Sequence, residues 1–226
     1  MKPLNRKSYG SIPHIIGSKR GPSDSGLGKG QCDILFKKQK VKGGIVIATE
    51  KLDGSNVSVY YDGTEYIPLT RSGNLASSSV FKHHRQFAAW VRDNLDKFQF
   101  LLPGERVCGE WLGLAHGTVY ELTHAPFVSF DIMVESDRLT YDLFIQRTYG
   151  LVRPKMLHYG DSKPFEQVLE SLGEFGHHGA KELAEGIVWR YERDGKVQFL
   201  AKYVRHEKIA GKYLDGPEIW LYDKYR

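Results

Sequence analysis

The feature that most constrains the fold is a series of short β-type runs, separated by Asp-Gly dipeptides, that begins at Gly44. The runs GIVIATEK, NVSVYYD and EYIPLT are separated by Asp53-Gly54 and Asp62-Gly63. Such dipeptides favour tight turns with positive φ, which are typical of β-hairpins. The sequence therefore predicts that an antiparallel sheet begins at residue 44.

Later segments add both strands and helices. We predict strands at 105–112, 126–134, 185–191 and 196–204, the last two joined through Asp194-Gly195, and helices at 79–98, 139–149 and 163–175. The helix at 79–98 is expected to have Ser77 or Ser78 as its N-cap. Six of its apolar residues lie near one face: Val80, Phe81, Phe87, Trp90, Val91 and Leu95. Because strands and helices mix without strict βαβ alternation, we predict an α+β domain built on antiparallel sheets.

The basic residues are concentrated near the N-terminus. Residues 1–42 hold ten Lys or Arg against Asp24 and Asp33, a net charge of +8 compared with +5 for the whole chain. This part is rich in Gly, Ser, Pro and Lys, and we expect a loop-rich segment at 1–43 ahead of a folded domain at 44–226. A cationic cluster suits a polyphosphate partner such as nucleic acid, and a solvated tail is the alternative.

Composition is that of an ordinary globular domain, with 41% apolar and 26% charged residues. No apolar run approaches the roughly 20 residues that cross a bilayer, and the N-terminus lacks the apolar core of a secretory signal. We therefore expect a cytoplasmic protein that does not enter a membrane. The two cysteines, Cys32 and Cys108, provide neither a disulfide framework nor a zinc signature, and both are expected to be reduced.

Lys51 is a candidate nucleophile. The segment TEKLDGSN, residues 49–56, puts this lysine at the end of an apolar strand and immediately before a glycine turn. A lysine amine attacks phosphorus only when neutral, so its pKa must fall from about 10.4 through desolvation or nearby positive charge, including a metal ion. A plain Asp-Gly hairpin accounts for the same residues.

Six segments in chain order resemble the motifs of the covalent nucleotidyltransferase superfamily of ligases and capping enzymes. They are TEKLDGSN, LTRSG, RVCGEW, FVSFDI, AEGIVW and LAKYVR, and they extend from Thr49 to Arg205. Asn56 stands where DNA ligases and capping enzymes usually carry arginine, so the RNA ligases match best. The resemblance implies an antiparallel-sheet nucleotidyltransferase (adenylation) domain with flanking helices.

The resemblance also implies roles for the residues around Lys51. Lys51 matches the lysine that is adenylated, and Asp53 belongs to the same catalytic motif. Glu50 resembles a residue at the adenine end of the nucleotide pocket, and Asn56 is a further nucleotide-binding position.

The next motifs correspond to nucleotide contacts. Arg71 matches an arginine that contacts phosphate or ribose, for which a guanidinium fork is suited, although a surface charge is the alternative. Glu110 matches a glutamate that accepts hydrogen bonds from the ribose hydroxyls. Phe130 matches an aromatic residue that packs on adenine, with Asp131 as its polar neighbour; an ordinary core phenylalanine is the alternative.

The last two motifs correspond to metal and phosphate contacts. Glu185 matches a glutamate that helps to hold a catalytic divalent ion, Mg²⁺ or Mn²⁺, through water. Lys202 matches a lysine that neutralises the α-phosphate. Many relatives carry Lys-x-Lys here, and Val204 fills the second lysine position. Arg205 is a candidate replacement, although adjacent strand residues face opposite sides.

The histidines give weaker signals. His83-His84 and His177-His178 lack a defined zinc ligand set and are expected on solvated surface. His116 and Tyr120 resemble residues near the pocket of related proteins, where they support the rim or simply pack.

The activity implied by the resemblance is that of an ATP-dependent RNA ligase involved in RNA repair. Lys51 would take AMP from ATP, pass it to a 5′-phosphate end and allow a 3′-hydroxyl to displace AMP. Asn56 favours RNA over DNA as the substrate. Two alternatives remain: a stand-alone adenylyltransferase of RNA or DNA ends, and a catalytically impaired nucleic-acid-binding relative.

The C-terminal part departs from the family pattern. Only 24 residues follow Lys202, so we expect no room for a C-terminal OB domain and at most a short element at 206–226. Binding of nucleic acid would then depend on the basic N-terminal segment or on a partner protein.

Overall fold

The computed structural model describes residues 2–37, 42–208 and 217–224, and its strands form two antiparallel sheets. The strands are β1 Gly44–Lys51, β2 Ser55–Tyr61, β3 Tyr66–Thr70, β4 Glu105–Trp111, β5 Phe127–Val134, β6 Asp137–Arg138, β7 Met156–Gly160, β8 Gly186–Arg193 and β9 Lys196–Val204. The helices are α1 Lys29–Phe36, α2 Lys82–Arg92, α3 Tyr141–Arg147 and α4 Phe165–Leu172. Sheet A has the order β7-β1-β8-β9, and sheet B has the order β3-β2-β4-β5-β6. The predicted α+β class with antiparallel sheets is confirmed.

The Asp53-Gly54 dipeptide connects the two sheets and does not form a hairpin. β1 pairs with β7 and β8, whereas β2 pairs with β3 and β4. A Cβ on Gly54 would lie 2.6 Å from the Trp111 carbonyl oxygen, so glycine is needed here for close approach of the chain to β4. The predicted hairpin at this position is wrong. Gly63 and Gly195 do adopt positive φ between paired strands.

Helix α2 begins later than predicted. Phe87, Trp90 and Val91 are buried in the core on sheet B, but Val80 and Phe81 are largely exposed. Neither Ser77 nor Ser78 is the N-cap, because the residue at that position is Phe81. The Ser79 hydroxyl accepts a hydrogen bond from the Phe81 amide at 3.2 Å, a local alternative to helical pairing. The last residues of the predicted helix, Leu95–Phe98, form a separate 3₁₀ turn after α2.

The N-terminal segment is packed on sheet A. Ile15, Cys32 and Leu35 are buried in the core that contains Trp189 of β8. The Ile15 amide donates to the Lys202 carbonyl at 2.9 Å, and the Lys202 amide donates to the Pro13 carbonyl at 2.9 Å. This stretch therefore extends the β9 edge, and α1 lies within a segment for which only loops were predicted.

Some predictions fall outside the described residues. Lys38 and Lys40 of the basic segment lie there, as do 209–216 and 225–226 of the C-terminal segment. Cys32 and Cys108 are both buried and form no disulfide, as expected. Over the three described ranges, no helix combines the length and hydropathy that crossing a membrane requires.

Candidate active site

A cavity of about 520 Å³ opens where the end of β1 meets sheet B. Its walls come from both sheets and from the N-terminal segment, which contributes Tyr9, Ile12 and Asp24. Ten of the eleven predicted site residues line it: Glu50, Lys51, Asp53, Asn56, Arg71, Glu110, Phe130, Asp131, Glu185 and Lys202. The fold therefore brings together residues that are up to 152 positions apart in the sequence.

Lys51 and Glu185 form the centre of the cavity. Lys51 pairs with Gly186 in the β1–β8 ladder, which places Glu185 beside the end of β1. The Lys51 Nζ lies 2.5 Å from Glu185 Oε2. The Lys51 side chain keeps 22% of its surface exposed, so the amine is accessible from the cavity while its partner is buried.

Three acidic side chains surround Lys51 and interact with its amine. Burial lowers the pKa of the Lys51 amine, but the carboxylates of Glu185, Glu110 and Asp53 outweigh burial and leave that pKa above its ordinary value. Burial raises the pKa of Glu110 to about 8 and also raises the pKa of Glu185, with Lys51 opposing both shifts. Of the two causes expected to lower the amine pKa, burial is present but is outweighed by the carboxyl groups. A further cation beside these groups would favour the ionised carboxylates and lower the amine pKa.

Asn56 and Glu110 face each other across the β2–β4 ladder. The Gly54 amide donates to Glu110 Oε1 at 3.2 Å. Asn56 Oδ1 is buried and has no hydrogen-bond partner among the described residues. Buried polar atoms normally have partners, so this orphaned oxygen is consistent with a cavity that receives a hydrogen-bond donor from a ligand.

Asp53 holds the loop that covers one side of the cavity. Its Oδ2 accepts hydrogen bonds from the Gly117 amide at 2.9 Å and the Thr118 hydroxyl at 3.2 Å. The Asp53 amide donates to the Tyr120 hydroxyl oxygen at 2.9 Å. His116 lines the cavity, whereas Tyr120 is buried behind it. Tyr120 thus supports the Asp53 backbone from the core, whereas His116 belongs to the cavity lining.

A β-bulge presents Phe130 to the cavity. Cys108 pairs with Asp131 and Gly109 pairs with Ser129, so Phe130 is the additional residue of β5. A bulge redirects a side chain relative to the regular strand. Tyr9 packs edge-on against Phe130 with ring centroids 5.1 Å apart, which fixes the ring in the cavity wall.

Asp131 is occupied by protein partners. Its Oδ2 accepts hydrogen bonds from the Tyr9 hydroxyl at 2.9 Å and from Arg138 Nε at 3.0 Å, and its Oδ1 accepts one from Arg190. The carboxylate is fully buried, so its observed contacts anchor the wall around Phe130. Sequence reasoning missed Tyr9 and Arg190; the position of Arg190 directly after the apolar residues Ile187, Val188 and Trp189 was a signal for the latter.

Glu50 lines the cavity from β1 of sheet A, directly before Lys51. Its side chain is 2% exposed, and it accepts hydrogen bonds from the His177 amide at 3.2 and 3.0 Å. Burial raises the pKa of Glu50 to about 7, although the His177 amide opposes the shift. A Cβ on Gly176 would lie 2.1 Å from Glu50 Oε1, so the 176–177 turn closes directly over the carboxylate.

Lys202 and Val204 face the cavity, whereas Arg205 does not line it. Arg205 follows the last residue of β9, and its guanidinium donates to the Gly173 carbonyl at the end of α4. This arrangement gives no support to Arg205 as the replacement for the second lysine, because the guanidinium is held away from the cavity lining. Burial and the charge of Lys51 lower the pKa of Lys202, while Asp24, 4.0 Å from its Nζ, opposes them.

The adjacent histidines are less exposed than predicted. His83 and His178 are buried, which corrects the expectation of solvated surface for these two. His178 Nδ1 lies 2.9 Å from His124 Nε2. In the part of the chain that the structure describes, no group of three or more His, Cys, Asp or Glu side chains would hold a metal ion unaided.

Comparisons with known proteins agree with this arrangement. Residues 44–204 match the family model described as RNA ligase. Solved structures with a similar fold include the RNA ligase of Naegleria gruberi with PPi, at 19% identity and a TM-score of 0.56, where the match covers 85% of this chain and 58% of that chain. An archaeal ATP-dependent RNA ligase matches at 17% identity and a TM-score of 0.52, over 87% and 48% of the two chains.

A putative ATP-dependent DNA ligase from Aquifex aeolicus is also similar, at 18% identity and a TM-score of 0.50, over 87% of this chain and 49% of that one. The chain thus spans about half the length of the solved ligases it matches. No curated protein matches the sequence. The structural likeness at these identities establishes the fold.

Proposed function

Since this chain belongs to the RNA ligase family, we propose that it is an ATP-dependent polynucleotide ligase that carries AMP on Lys51. AMP passes from Lys51 to the 5′-phosphate of an RNA end, and a 3′-hydroxyl then displaces AMP to join the strands. The observation that carries this proposal is the pairing of Lys51 with Glu185 in a cavity that also contains Glu110, Phe130 and Lys202.

The first step forms a bond between Lys51 Nζ and the α-phosphorus of ATP and breaks the bond to pyrophosphate. The amine must lose a proton before it attacks. Glu185 Oε2, 2.5 Å from Nζ, is positioned to accept that proton. Lys202 and Arg71 supply positive charge in the same cavity, where the developing charge on the phosphates requires it.

The nucleotide is held by residues along the cavity. Phe130 offers a ring for the adenine, and Glu50, which lines the same cavity, offers a hydrogen-bonding group at the adenine end. Glu110 faces the region of the ribose hydroxyls, and the orphaned Asn56 Oδ1 accepts a further hydrogen bond from the ligand.

A divalent ion, Mg²⁺ or Mn²⁺, fits the chemistry of this site. Mg²⁺ typically uses few protein carboxylates and completes its shell with water and substrate phosphates. Glu185 would hold the ion through water, and the acidic side chains around Lys51 provide the complementary field. When bound, the ion supplies electrostatic stabilisation of the triphosphate and favours the neutral amine. Mutants of the Naegleria gruberi RNA ligase were solved with ATP and Mn and with AMP and Mn, which supports the same requirements here.

The substrate proposed is RNA with 5′-phosphate and 3′-hydroxyl ends, in keeping with a role in RNA repair. Asn56, in the RNA-ligase form of the first motif, supports RNA over DNA. Binding of the strand is assigned to the basic N-terminal segment, which borders the cavity, or to a partner protein. A cytoplasmic location is part of the proposal and is supported by the two unpaired, buried cysteines, Cys32 and Cys108.

A second candidate function is adenylyl transfer that stops before joining. The observation that favours it is Val204, which lines the cavity where many relatives carry a second lysine. With less positive charge near the phosphates, the final displacement of AMP would be the step that suffers.

A strand-joining assay tests the proposal. The protein, ATP and Mg²⁺ are incubated with 5′-labelled RNA and DNA, both as nicked duplexes and as single strands, and the products are separated on a denaturing gel. We expect joined RNA, and no product with Lys51→Ala. Capped ends without joined strands would support the second candidate, and neither product from a folded protein would contradict both.

A further inference from the structure

An exposed aromatic and basic surface lies at the start of α2, outside the residues assigned to ATP. Val80 is 83% exposed and Phe81 is 54% exposed. Lys82 and Arg85 are exposed beside them. Residues 74–92 contain three Lys or Arg and no acidic residue, so this surface has a net positive charge.

A series of rings connects this surface to the cavity. The Phe81 ring stacks on His83 with centroids 5.6 Å apart and an interplanar angle of 27°. His83 lies 5.6 Å from the ring of His116, which lines the cavity that contains Lys51. His116 Nε2 in turn lies 3.2 Å from Ser55 Oγ at the start of β2. The exposed ring is therefore continuous with the wall of the active site.

The presentation of Phe81 is ordered by local contacts. The Ser79 hydroxyl accepts a hydrogen bond from the Phe81 amide at 3.2 Å, and Arg85 donates to the Ser79 carbonyl at 2.5 Å. The core on sheet B is filled by other α2 residues, Phe87, Trp90 and Val91. Phe81 thus exposes an aromatic face, next to the exposed Val80, without contributing to the core on sheet B.

The cations of this surface are Lys82 and Arg85 rather than the histidines. Burial lowers the pKa of His83 to about 3 and that of His84 to about 4, so both rings are neutral at physiological pH. The charges of His84 and His116 add to the shift at His83. The surface accordingly combines a neutral aromatic stack with flanking positive charges, the combination that binds single nucleic-acid strands.

We propose that Val80, Phe81, Lys82 and Arg85 bind the nucleic-acid strand whose end enters the cavity, with Phe81 stacking on a base and the two cations contacting phosphates. The identity of the strand end rests on the proposed function. Two ring-to-ring steps of 5.6 Å separate Phe81 from His116. Because stacked nucleotides advance by about 3.4 Å, a strand stacked on Phe81 reaches the cavity wall at His116 in about three nucleotides.

Binding measurements test the stacking role. Fluorescence anisotropy gives the Kd of the wild type and of Phe81→Ala for a short fluorescent RNA with a 5′-phosphate. We expect Phe81→Ala to raise the Kd by about 5-fold to 100-fold without changing formation of the AMP adduct. The matched control is Tyr149→Ala, which removes an aromatic ring that is 89% exposed after α3 and should leave the Kd unchanged.

Two further variants distinguish base stacking from a structural effect. Phe81→Trp should retain the wild-type Kd, and RNA should quench the added tryptophan fluorescence. Lys82→Gln should reduce the slope of log K against log salt concentration by about 0.7, the loss of one single-strand phosphate contact. If Phe81→Ala lowers the melting temperature, its Kd no longer isolates stacking. The Phe81→Trp quenching and the Lys82→Gln salt dependence then decide whether the surface binds RNA.

An unchanged Kd in Phe81→Ala, or an unquenched Phe81→Trp, would overturn the proposal. If sedimentation shows that Phe81→Ala changes the oligomeric mass while RNA binding persists, the surface is a protein interface instead. A different result would reject the proposed ligase activity and leave the RNA-binding surface supported: the wild type forms no adduct and joins no strand, while Phe81→Ala still weakens RNA binding.

Discussion

The charge state of Lys51 is set by its three carboxylate neighbours. Burial alone would lower the pKa of its amine, but Glu185, Glu110 and Asp53 raise it above the ordinary value. In the free protein the amine is therefore protonated at neutral pH and does not react. Activation requires a change in this local balance, which binding of positive charge or removal of a carboxylate would produce.

Glu185→Gln tests this balance. The negative charge of Glu185 stabilises the protonated amine, so its removal should lower the pKa of Lys51. The neutral, reactive amine then forms at lower pH. We expect the midpoint of Lys51 acetylation by acetic anhydride, followed by peptide mass spectrometry without ATP, to shift down by about 1–2 pH units. Glu166→Gln, an exposed glutamate on α4, is the control. A midpoint that stays fixed or rises would disprove the assigned cause.

At the scale of single residues, the six motifs in chain order were enough to predict most of the residues that line the cavity. Lys51, Glu110 and Glu185 each lie at or next to the end of a strand, and each belongs to a short motif that can be recognised in the sequence. Tyr9 and Asp24 were not found, because they reach the cavity by packing of a distant segment that carries no local pattern. Arg205 was only a candidate from its place in the motif, and the sequence carries no signal for the Gly173 carbonyl that holds its guanidinium.

At the scale of elements, irregularities of the strands position the site. The Asp53-Gly54 connection moves the chain from sheet A to sheet B immediately after Lys51. The bulge in β5 places Phe130 in the wall. Alternation and turn residues predicted most of the strands, but β7, Met156–Gly160, was missed because it is an edge strand with mostly partly exposed residues. The hairpin predicted at Asp53-Gly54 was wrong because β1 pairs with β7 and β8, which are distant in the sequence, and not with β2.

Gly186→Ala tests how closely β8 and β9 must approach beside Glu185. The added Cβ would lie 1.9 Å from the Tyr203 carbonyl oxygen, so the strands must separate. We expect urea unfolding to show a loss of at least about 2 kcal/mol, as for overpacked sites, and a reduced yield of AMP adduct. Gly150→Ala, where nothing lies within 4 Å of the added atom, should stay within about 0.5 kcal/mol of the wild type. Equal unfolding midpoints for the two variants would contradict this account.

At the scale of the whole molecule, the N-terminal segment is part of the catalytic body. It adds to the β9 edge through Pro13 and Ile15, covers one side of sheet A with α1, and lines the cavity with Tyr9 and Asp24. Composition predicted its positive charge but not its packing, because only a few apolar residues, separated by Gly and Pro, make the contacts. The division at residues 1–43 and 44–226 stays a prediction about folding units.

Truncation tests that division. A chain that begins at Gly44 loses the buried Ile15, Cys32 and Leu35 and one wall of the cavity. We expect a lower melting temperature and no AMP adduct. A chain that begins at Arg6 keeps these contacts and should behave as the full chain does. If the chain from Gly44 melts like the full chain and forms the adduct, residues 1–43 are dispensable and the account of the cavity wall is wrong.

The central claim is that Lys51 forms a covalent bond to AMP, and peptide mass spectrometry after incubation with ATP and Mg²⁺ tests it most directly. We predict an AMP adduct on the peptide that contains Lys51, absent from Lys51→Ala and retained by Lys97→Ala, which removes an exposed lysine of the 3₁₀ turn. A folded wild-type protein without an adduct, or an adduct that persists in Lys51→Ala, would contradict the claim.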